Sequence, residues 1–203
     1  DSGYFETFNK DNVYLIDLKK NPIKQIYSMS LEADRIYEID TLILATGFDA
    51  MTGALTSIDI IGRDNIKLKD QWESGAKSYL GIGITNFPNL FTITGPGSPS
   101  VLSNMMPSIE QHVNWITDCI EWMIENEKEV IESSKTAEED WMILVNEIAD
   151  TTVFTDTKSW YNGSNIESKA KSFLPFIGVP VYTEMLEEIV AEDYKGFIFD
   201  KAN

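Results

Sequence analysis

The stretch that decides the fold runs from Leu90 to Ser100 and reads Leu-Phe-Thr-Ile-Thr-Gly-Pro-Gly-Ser-Pro-Ser. Its apolar beginning, residues 90–93, predicts a buried strand, and the glycine- and proline-rich continuation ends that strand abruptly. A helix is expected next, because apolar residues recur with the helical period from Pro107 to about Asn126. A strand, a glycine-rich loop and a helix in this order are typical of an α/β sheet.

The loop between this strand and this helix is a candidate ligand site. Gly95 and Gly97 allow backbone to approach a ligand closely, and the following helix presents N–H groups and the positive end of its dipole. A phosphate or the electron-rich edge of a ring fits such a place. A plain strand-to-helix connection has the same pattern, so both interpretations stay open. The P-loop lysine is missing after the loop, which argues against that motif.

The residues before this unit predict further strands. Residues 13–18 are mostly apolar and end at a Lys-Lys-Asn-Pro turn, and residues 23–31 mix apolar and polar side chains as in a half-exposed ribbon. The run Leu-Ile-Leu-Ala at 42–45 is apolar without alternation, which predicts a strand buried on both faces in a parallel sheet. Thr46 and Gly47 end it.

The residues after the unit are mainly helical. Thr136 and Glu139 have the spacing of a capping box, which predicts a helix that contains Trp141, Leu144, Val145 and Ile148. Trp141, like Trp122, is expected in the core. Residues 152–181 are aromatic and irregular, and a last helix is predicted from about Thr183 to Asp193.

Composition limits the class of protein. The 203 residues are 43% hydrophobic and 24% charged, which is globular usage, and the formal net charge of −17 makes nucleic acid and anionic membranes poor partners. Most of the negative charge, −13, belongs to residues 101–203. No apolar run reaches the roughly 18 residues of a membrane span, and the first residues have no signal-peptide pattern. We therefore expect a soluble cytoplasmic protein.

Few side chains suit a metal site or a nucleophile. His112 is the only histidine, so a histidine-based metal site is excluded, and the residue is either an ordinary helix histidine or a general base. Cys119 is the only cysteine and is expected in the core. No Gly-x-Gly-x-x-Gly follows a predicted strand, so no complete dinucleotide-binding fold begins within these residues.

Several stretches together resemble the C-terminal part of Baeyer–Villiger monooxygenases of the cyclohexanone and phenylacetone type. These flavoenzymes use FAD and NADPH to insert oxygen beside a ketone. The Ala-Thr-Gly at 45–47 is common among flavoproteins, whereas the Gly-Pro-Gly-Ser-Pro-Ser run combined with Trp-Tyr-Asn-Gly further on is far more specific. The resemblance covers almost the whole chain and is carried by residues 1–9, 40–49, 87–105, 108–112, 160–165 and 173–176.

The resemblance implies an α/β fold, namely the C-terminal portion of a flavoprotein with two dinucleotide-binding domains, in which Rossmann-like sheet strands are followed by helices. Residues 1–47 would be the closing strands of the NADP-binding domain. Residues 48–203 would be the returning half of the FAD-binding domain, with C-terminal helices and a mobile loop.

The resemblance also implies site residues. Ser100, Val101 and Leu102 would shape the ketone pocket, and Trp160 would lie on the mobile loop that closes over the nicotinamide cofactor. One departure from the family lies in that loop, where Glu167-Ser168 replaces the usual Pro-Gly. The cofactor contacts as a whole would be Thr46, Gly47, Gly95, Pro96, Asn104, Met105 and Trp160.

No catalytic residue is expected in this chain, because the arginine on which the family's oxygen chemistry depends precedes the segment that matches Asp1-Ser2-Gly3. The complete enzyme would convert a small ketone and O₂ to an ester or lactone. Two alternatives stay open, namely a related N- or S-oxygenating flavoprotein and a non-catalytic acidic interaction module. The isolated chain is expected to bind no FAD or NADPH and to be inactive. It is further expected either to self-associate through the uncovered apolar edge at 42–45 or to be partly disordered before residue 50.

Overall fold

The computed structural model describes residues 2–99, 104–157, 160–163, 170–175 and 177–201. The chain divides into two compact units, Asp1–Gly47 and Phe48–Asn203. In the described residues, no helix combines the length and apolarity that crossing a membrane requires.

The first unit contains a short helix and a small antiparallel sheet. The helix is α1 (Tyr4–Thr7), and the strands β1 (Gln25–Ile26), β2 (Ser30–Glu32) and β3 (Ile36–Glu38) pair in the order β1-β2-β3. Gln25 lies opposite Glu32, and Leu31 lies opposite Tyr37. The predicted ribbon at 23–31 is therefore confirmed as the β1–β2 hairpin.

Two predicted strands of the first unit are wrong. Residues 13–18 and 42–45 have no strand assignment in the structure, and their side chains are largely exposed. Leu15 is 81% exposed and Ile43 is 82% exposed, so neither run is buried on any face. A parallel strand needs neighbours from distant parts of a sequence, and the described residues provide none for the run at 42–45.

The second unit is built on three long helices. They are α4 (Met105–Glu125), α5 (Lys135–Asp150) and α6 (Val179–Ala191), and α2 (Gly53–Thr56) and α3 (Leu68–Gln71) are single turns. Short 3₁₀ turns occur at Arg63–Asn65 and Trp160–Asn162. The predicted helix from Pro107 to about Asn126 is confirmed, within the usual uncertainty of helix ends.

Two helix starts differ from their predictions. Helix α5 is capped by Ser134, whose side chain accepts a hydrogen bond from the Ala137 N–H, so the capping box at Thr136 and Glu139 is wrong. The serine lies two residues earlier and already satisfies an N–H of the first turn. Helix α6 begins four residues before Thr183, after Gly178 with a φ of 78° and with proline in its first turn.

The described residues of the second unit also include an antiparallel strand pair. Strand β4 (Val130–Ser133) pairs with β5 (Phe197–Asp200), with Val130 opposite Asp200. The sequence analysis predicted neither strand. The strand predicted at 90–93 is wrong, because this segment has only an isolated bridge between Phe91 and Gly83.

The main core lies between the three long helices and the β4–β5 pair. Trp141 and Cys119 are buried in it, as expected. The other buried hydrophobic members are Tyr79, Leu80, Ile82, Trp115, Met123, Ile131, Val145, Tyr182, Leu186 and Tyr194. A smaller core gathers Leu68, Trp72, Ala76, Ile84 and Phe87. The α/β class is thus confirmed, but both sheets of the described residues are antiparallel.

Candidate functional site

The candidate site is centred on residues 94–99, which we call the glycine loop. The loop is mostly buried and includes the predicted cofactor contacts Gly95 and Pro96. A Cβ added to Gly95 would lie 2.4 Å from Thr92 Oγ1 and 2.7 Å from the Gly81 carbonyl oxygen, so only glycine fits. The small size of Gly95 therefore lets the loop pack closely against other segments of the same protein, which fits the second of the two interpretations that the sequence left open, a plain connection from strand to helix.

Side chains from other segments hold the loop by its carbonyl groups. Ser78 Oγ donates to the Pro96 carbonyl at 2.5 Å and accepts from the Gly81 N–H at 3.0 Å. The indole N–H of Trp141, on α5, donates to the Gly97 carbonyl at 3.0 Å. Buried carbonyl groups need such donors, so these contacts define the shape of the loop.

Helices α4 and α6 meet the beginning of the loop through His112. The Thr94 N–H donates to His112 Nδ1 at 3.1 Å, and Tyr182 Oη lies 2.9 Å from His112 Nε2 and 2.5 Å from the Leu80 carbonyl oxygen. Because Nδ1 accepts, the proton of the neutral ring belongs on Nε2, which donates to Tyr182, and Tyr182 donates to Leu80. Every polar atom in this chain of contacts is then satisfied.

The burial of His112 argues against the general-base alternative. The side chain is 1% exposed, and burial lowers its pKa to about 4, so the ring is neutral near pH 7. Burial also raises the pKa of Tyr182 far above its ordinary value. With both ring nitrogens engaged inside the protein, His112 has no nitrogen left for a substrate. It is a structural link rather than an acid or base.

The start of α4 carries two more predicted cofactor contacts. Asn104 caps the helix, since its side-chain oxygen accepts from the Met106 N–H at 3.1 Å, and Met105 is 37% exposed. The first turn of this 21-residue helix contains no acidic side chain. Its positive dipole end is therefore suited to an electron-rich ring edge.

The remaining predicted residues are distributed differently. Ser100, Val101 and Leu102 lie outside the described residues. Trp160 is 44% exposed and begins a 3₁₀ turn. Asn162, the last residue of that turn, anchors it, because its side-chain amide donates to the carbonyl groups of Phe154 and Thr157. Thr46 and Gly47 are exposed and belong to the first unit.

Sequence patterns did not predict the residues that hold the loop, Ser78, Trp141 and His112, or the contact of Tyr182 with His112. No local signal marks them, because the contacts that join Ser78 to Pro96, Trp141 to Gly97, and Tyr182 to His112 and Leu80 link residues 18 to 102 positions apart. Within the described residues no group of acidic, histidine or cysteine side chains could hold a metal ion. The site offers a loop held by hydrogen bonds and the exposed start of a long helix.

Known proteins with similar sequences are monooxygenases. No family model matches the chain. Cyclohexanone 1,2-monooxygenase of Acinetobacter sp is 41% identical over 97% of this chain and 36% of that protein. Acetone monooxygenase (methyl acetate-forming) of Gordonia sp. (strain TY-5) is 38% identical over 97% of this chain and 38% of that protein.

Solved structures agree with this similarity. A closed crystal structure of cyclohexanone monooxygenase covers the whole chain with a TM-score of 0.92 and 38% identity, and the match takes up 38% of that structure. A crystal structure of OTEMO in complex with FAD and NADP covers 98% of the chain and 37% of that structure, with a TM-score of 0.89 and 32% identity. In sequence and in fold this chain is thus similar to one portion of Baeyer–Villiger monooxygenases, and it spans little more than a third of the length of the relatives that it matches.

Proposed function

We propose that this chain serves as one portion of an FAD- and NADPH-dependent Baeyer–Villiger monooxygenase, an oxidoreductase that converts a small ketone and O₂ to an ester or lactone. The observation that carries the proposal is 41% identity to a cyclohexanone monooxygenase over 97% of the chain. The match in fold to structures of the same kind supports it.

In this function the glycine loop and the start of α4 would face the flavin. Gly95 and Pro96 would contribute backbone, and Asn104 and Met105 would present the helix start to the ring edge that becomes electron-rich on reduction. The exposed start of α4 supports this placement. The bound flavin supplies the redox and oxygen chemistry, and this chain orients it and excludes water.

Trp160 and the first unit would serve NADPH. The exposed indole ring on a turn held by Asn162 suits a residue that closes over a nicotinamide ring, and Thr46 and Gly47 would contribute backbone at the edge of the NADP-binding domain. Residues 1–47 would then be the closing strands of that domain, and residues 48–203 the returning half of the FAD-binding domain. The ketone would contact Ser100, Val101 and Leu102. The division of the chain after Gly47 supports this arrangement.

Cytoplasmic location belongs to the same proposal and is supported by the acidic composition and the buried, unpaired Cys119.

A chimera tests the function directly. This chain replaces the matched portion of the Acinetobacter enzyme, and a control chimera receives the matched portion of the Gordonia enzyme at the same junctions. We expect the first chimera to bind FAD, to oxidise NADPH in response to added cyclic ketone, and to release the lactone, measured by gas chromatography. An inactive first chimera beside an active control would overturn the proposal, as would oxygenation of amines or thioethers without any ketone turnover.

A further inference from the structure

The buried pair His112 and Tyr182 connects three parts of the second unit. His112 lies on α4, Tyr182 lies on α6, and their hydrogen bonds end at Thr94 and at Leu80. Both side chains are at most 1% exposed. They are therefore not needed for solubility, and apolar residues of similar size would fill the same space without polar atoms that need partners.

The contact with Thr94 falls at a strained point of the chain. Thr94 has a φ of 50°, a conformation that a β-branched residue rarely adopts. On either side of it, the Thr92 N–H donates to the Ile82 carbonyl at 2.8 Å and the Gly95 N–H donates to the Gly81 carbonyl at 3.2 Å. The Thr94 N–H turns the other way and reaches His112. Without that acceptor, the strained peptide would lose the contact that holds it.

We propose that His112 and Tyr182 are positioning residues, which fix the Thr94 backbone and thereby place Gly95 and Pro96 for contact with the cofactor. The inference rests on the proposed function for the identity of that cofactor. Tyr182 fixes the ring of His112 by accepting from Nε2–H, so that Nδ1 stays available to Thr94. The buried ring is neutral, as this arrangement requires.

The first arm of the test uses the full chain and no enzyme activity. Because His112 is the only histidine, a nitrogen-15 spectrum of the imidazole shows a single ring. We expect the neutral Nε2–H form at pH 7. The Nδ1–H form would overturn the proposal, because Nδ1 would then be unable to accept from Thr94.

The second arm compares amide exchange in two variants. His112→Gln keeps an acceptor and a donor on one amide group, whereas His112→Leu has neither. We expect the Thr94 amide to exchange roughly tenfold faster in His112→Leu and close to the original rate in His112→Gln. The Gly81 amide, which is bonded to Ser78, is the internal control and should keep its rate. Equal acceleration of both amides in both variants would mean that His112 only packs.

The third arm measures coupling in the active chimera. With His112→Leu or Tyr182→Phe, the fraction of consumed NADPH that ends in lactone should fall roughly tenfold, while the KM for NADPH stays the same. His112→Gln should restore the coupling. Unchanged coupling in His112→Leu, measured well below its melting temperature, would contradict the positioning role. Failure of the original chimera to make lactone would count against the proposed function, and the first two arms would still decide the role of the pair.

Discussion

At the scale of single residues, two glutamates each accept a hydrogen bond from a backbone N–H in a tight turn. Arginine and lysine side chains only donate hydrogen bonds and could not replace them. Glu138, on α5, accepts from the Thr85 N–H at 2.8 Å, and Glu132, on β4, accepts from the Asn86 N–H at 2.7 Å. Arg63 pairs with Glu132 at 2.6 Å, whereas Glu138 is 5% exposed. The Arg63 guanidinium offsets the desolvation of the Glu132 carboxylate, whose side chain is 12% exposed, whereas burial penalises the charged form of Glu138.

This difference predicts a pH dependence of stability. Burial raises the pKa of Glu138 above its ordinary 4.5, so its folded state favours the protonated carboxyl. The stabilising contribution of Glu138 to the free energy of unfolding is therefore present at low pH, and it is lost as pH rises through the folded-state pKa of Glu138. Glu138→Gln keeps an acceptor for Thr85 and cannot ionise. We expect the variant to gain stability relative to the original chain between pH 4 and pH 8, as measured by urea unfolding.

The control for this prediction is Glu147→Gln, which removes the same charge at an exposed position of the same helix. It measures the part of the stability change that comes from the change in net charge alone. A Glu138→Gln difference that varies with pH no more than the control does would show that Glu138 ionises in the folded protein as easily as in the unfolded chain.

The role of Trp160 is also tested at the residue scale. If its indole ring contacts the nicotinamide cofactor, Trp160→Ala in the active chimera should raise the KM for NADPH or lower kcat, with FAD still bound. The change should correspond to a loss of about 1–3 kcal/mol of binding free energy. Steady-state kinetics and the flavin absorbance measure the two effects. Tyr161→Ala, on the same turn, is the matched control. Original NADPH kinetics in Trp160→Ala would assign the ring to packing alone.

At the scale of elements, the start of α5 shows how a local pattern is overruled by a better one nearby. Thr136 and Glu139 have capping-box spacing, but Ser134 comes first and forms the cap. The chain enters the helix from strand β4, whose last residue is Ser133, so the cap follows the strand immediately. The earlier start also places Glu138 in the first turn, facing Thr85.

Two alanine variants distinguish these caps. Ser134→Ala should cost about 1 kcal/mol of unfolding free energy, because the Ala137 N–H loses its acceptor. Thr136→Ala should change the free energy of unfolding by roughly a few tenths of a kcal/mol at most, since alanine favours a helix interior. Chemical unfolding measures both. The reverse ranking would restore the capping box as the helix start.

At the scale of the whole molecule, apolar side chains near the end of the first unit are exposed to an unusual degree. Ile43 and Leu44 are 82% and 70% exposed, in the run that the sequence predicts to be a buried strand. Exposed apolar runs of this kind are typical of interaction surfaces. A partner strand paired with this run would bury these side chains.

We therefore expect the isolated chain to self-associate and to carry no flavin. Light scattering should show oligomers at micromolar concentration, and absorbance should show no flavin bands after purification. The double variant Ile43→Lys and Leu44→Lys should reduce the association, whereas Ile143→Lys, at an exposed position of α5, should not. A stable monomer with one FAD would contradict both expectations, since it would make the second unit a complete flavin site.

The sequence by itself determined the features that depend on short-range patterns and on family motifs. Residues that are close together in the sequence indicate the apolar period of α4 and the buried positions of Trp141 and Cys119. Contiguous sequence motifs carry the monooxygenase resemblance. The tertiary structure alone decided the pairing of β4 with β5, the hydrogen bond from Trp141 to the glycine loop, and the His112–Tyr182 link. These contacts join residues 44 to 70 positions apart, and no local period records which distant partner a side chain will meet. The run at 42–45 shows the same limit from the other side, because its composition is that of a buried strand, and burial depends on neighbours that the described residues do not supply.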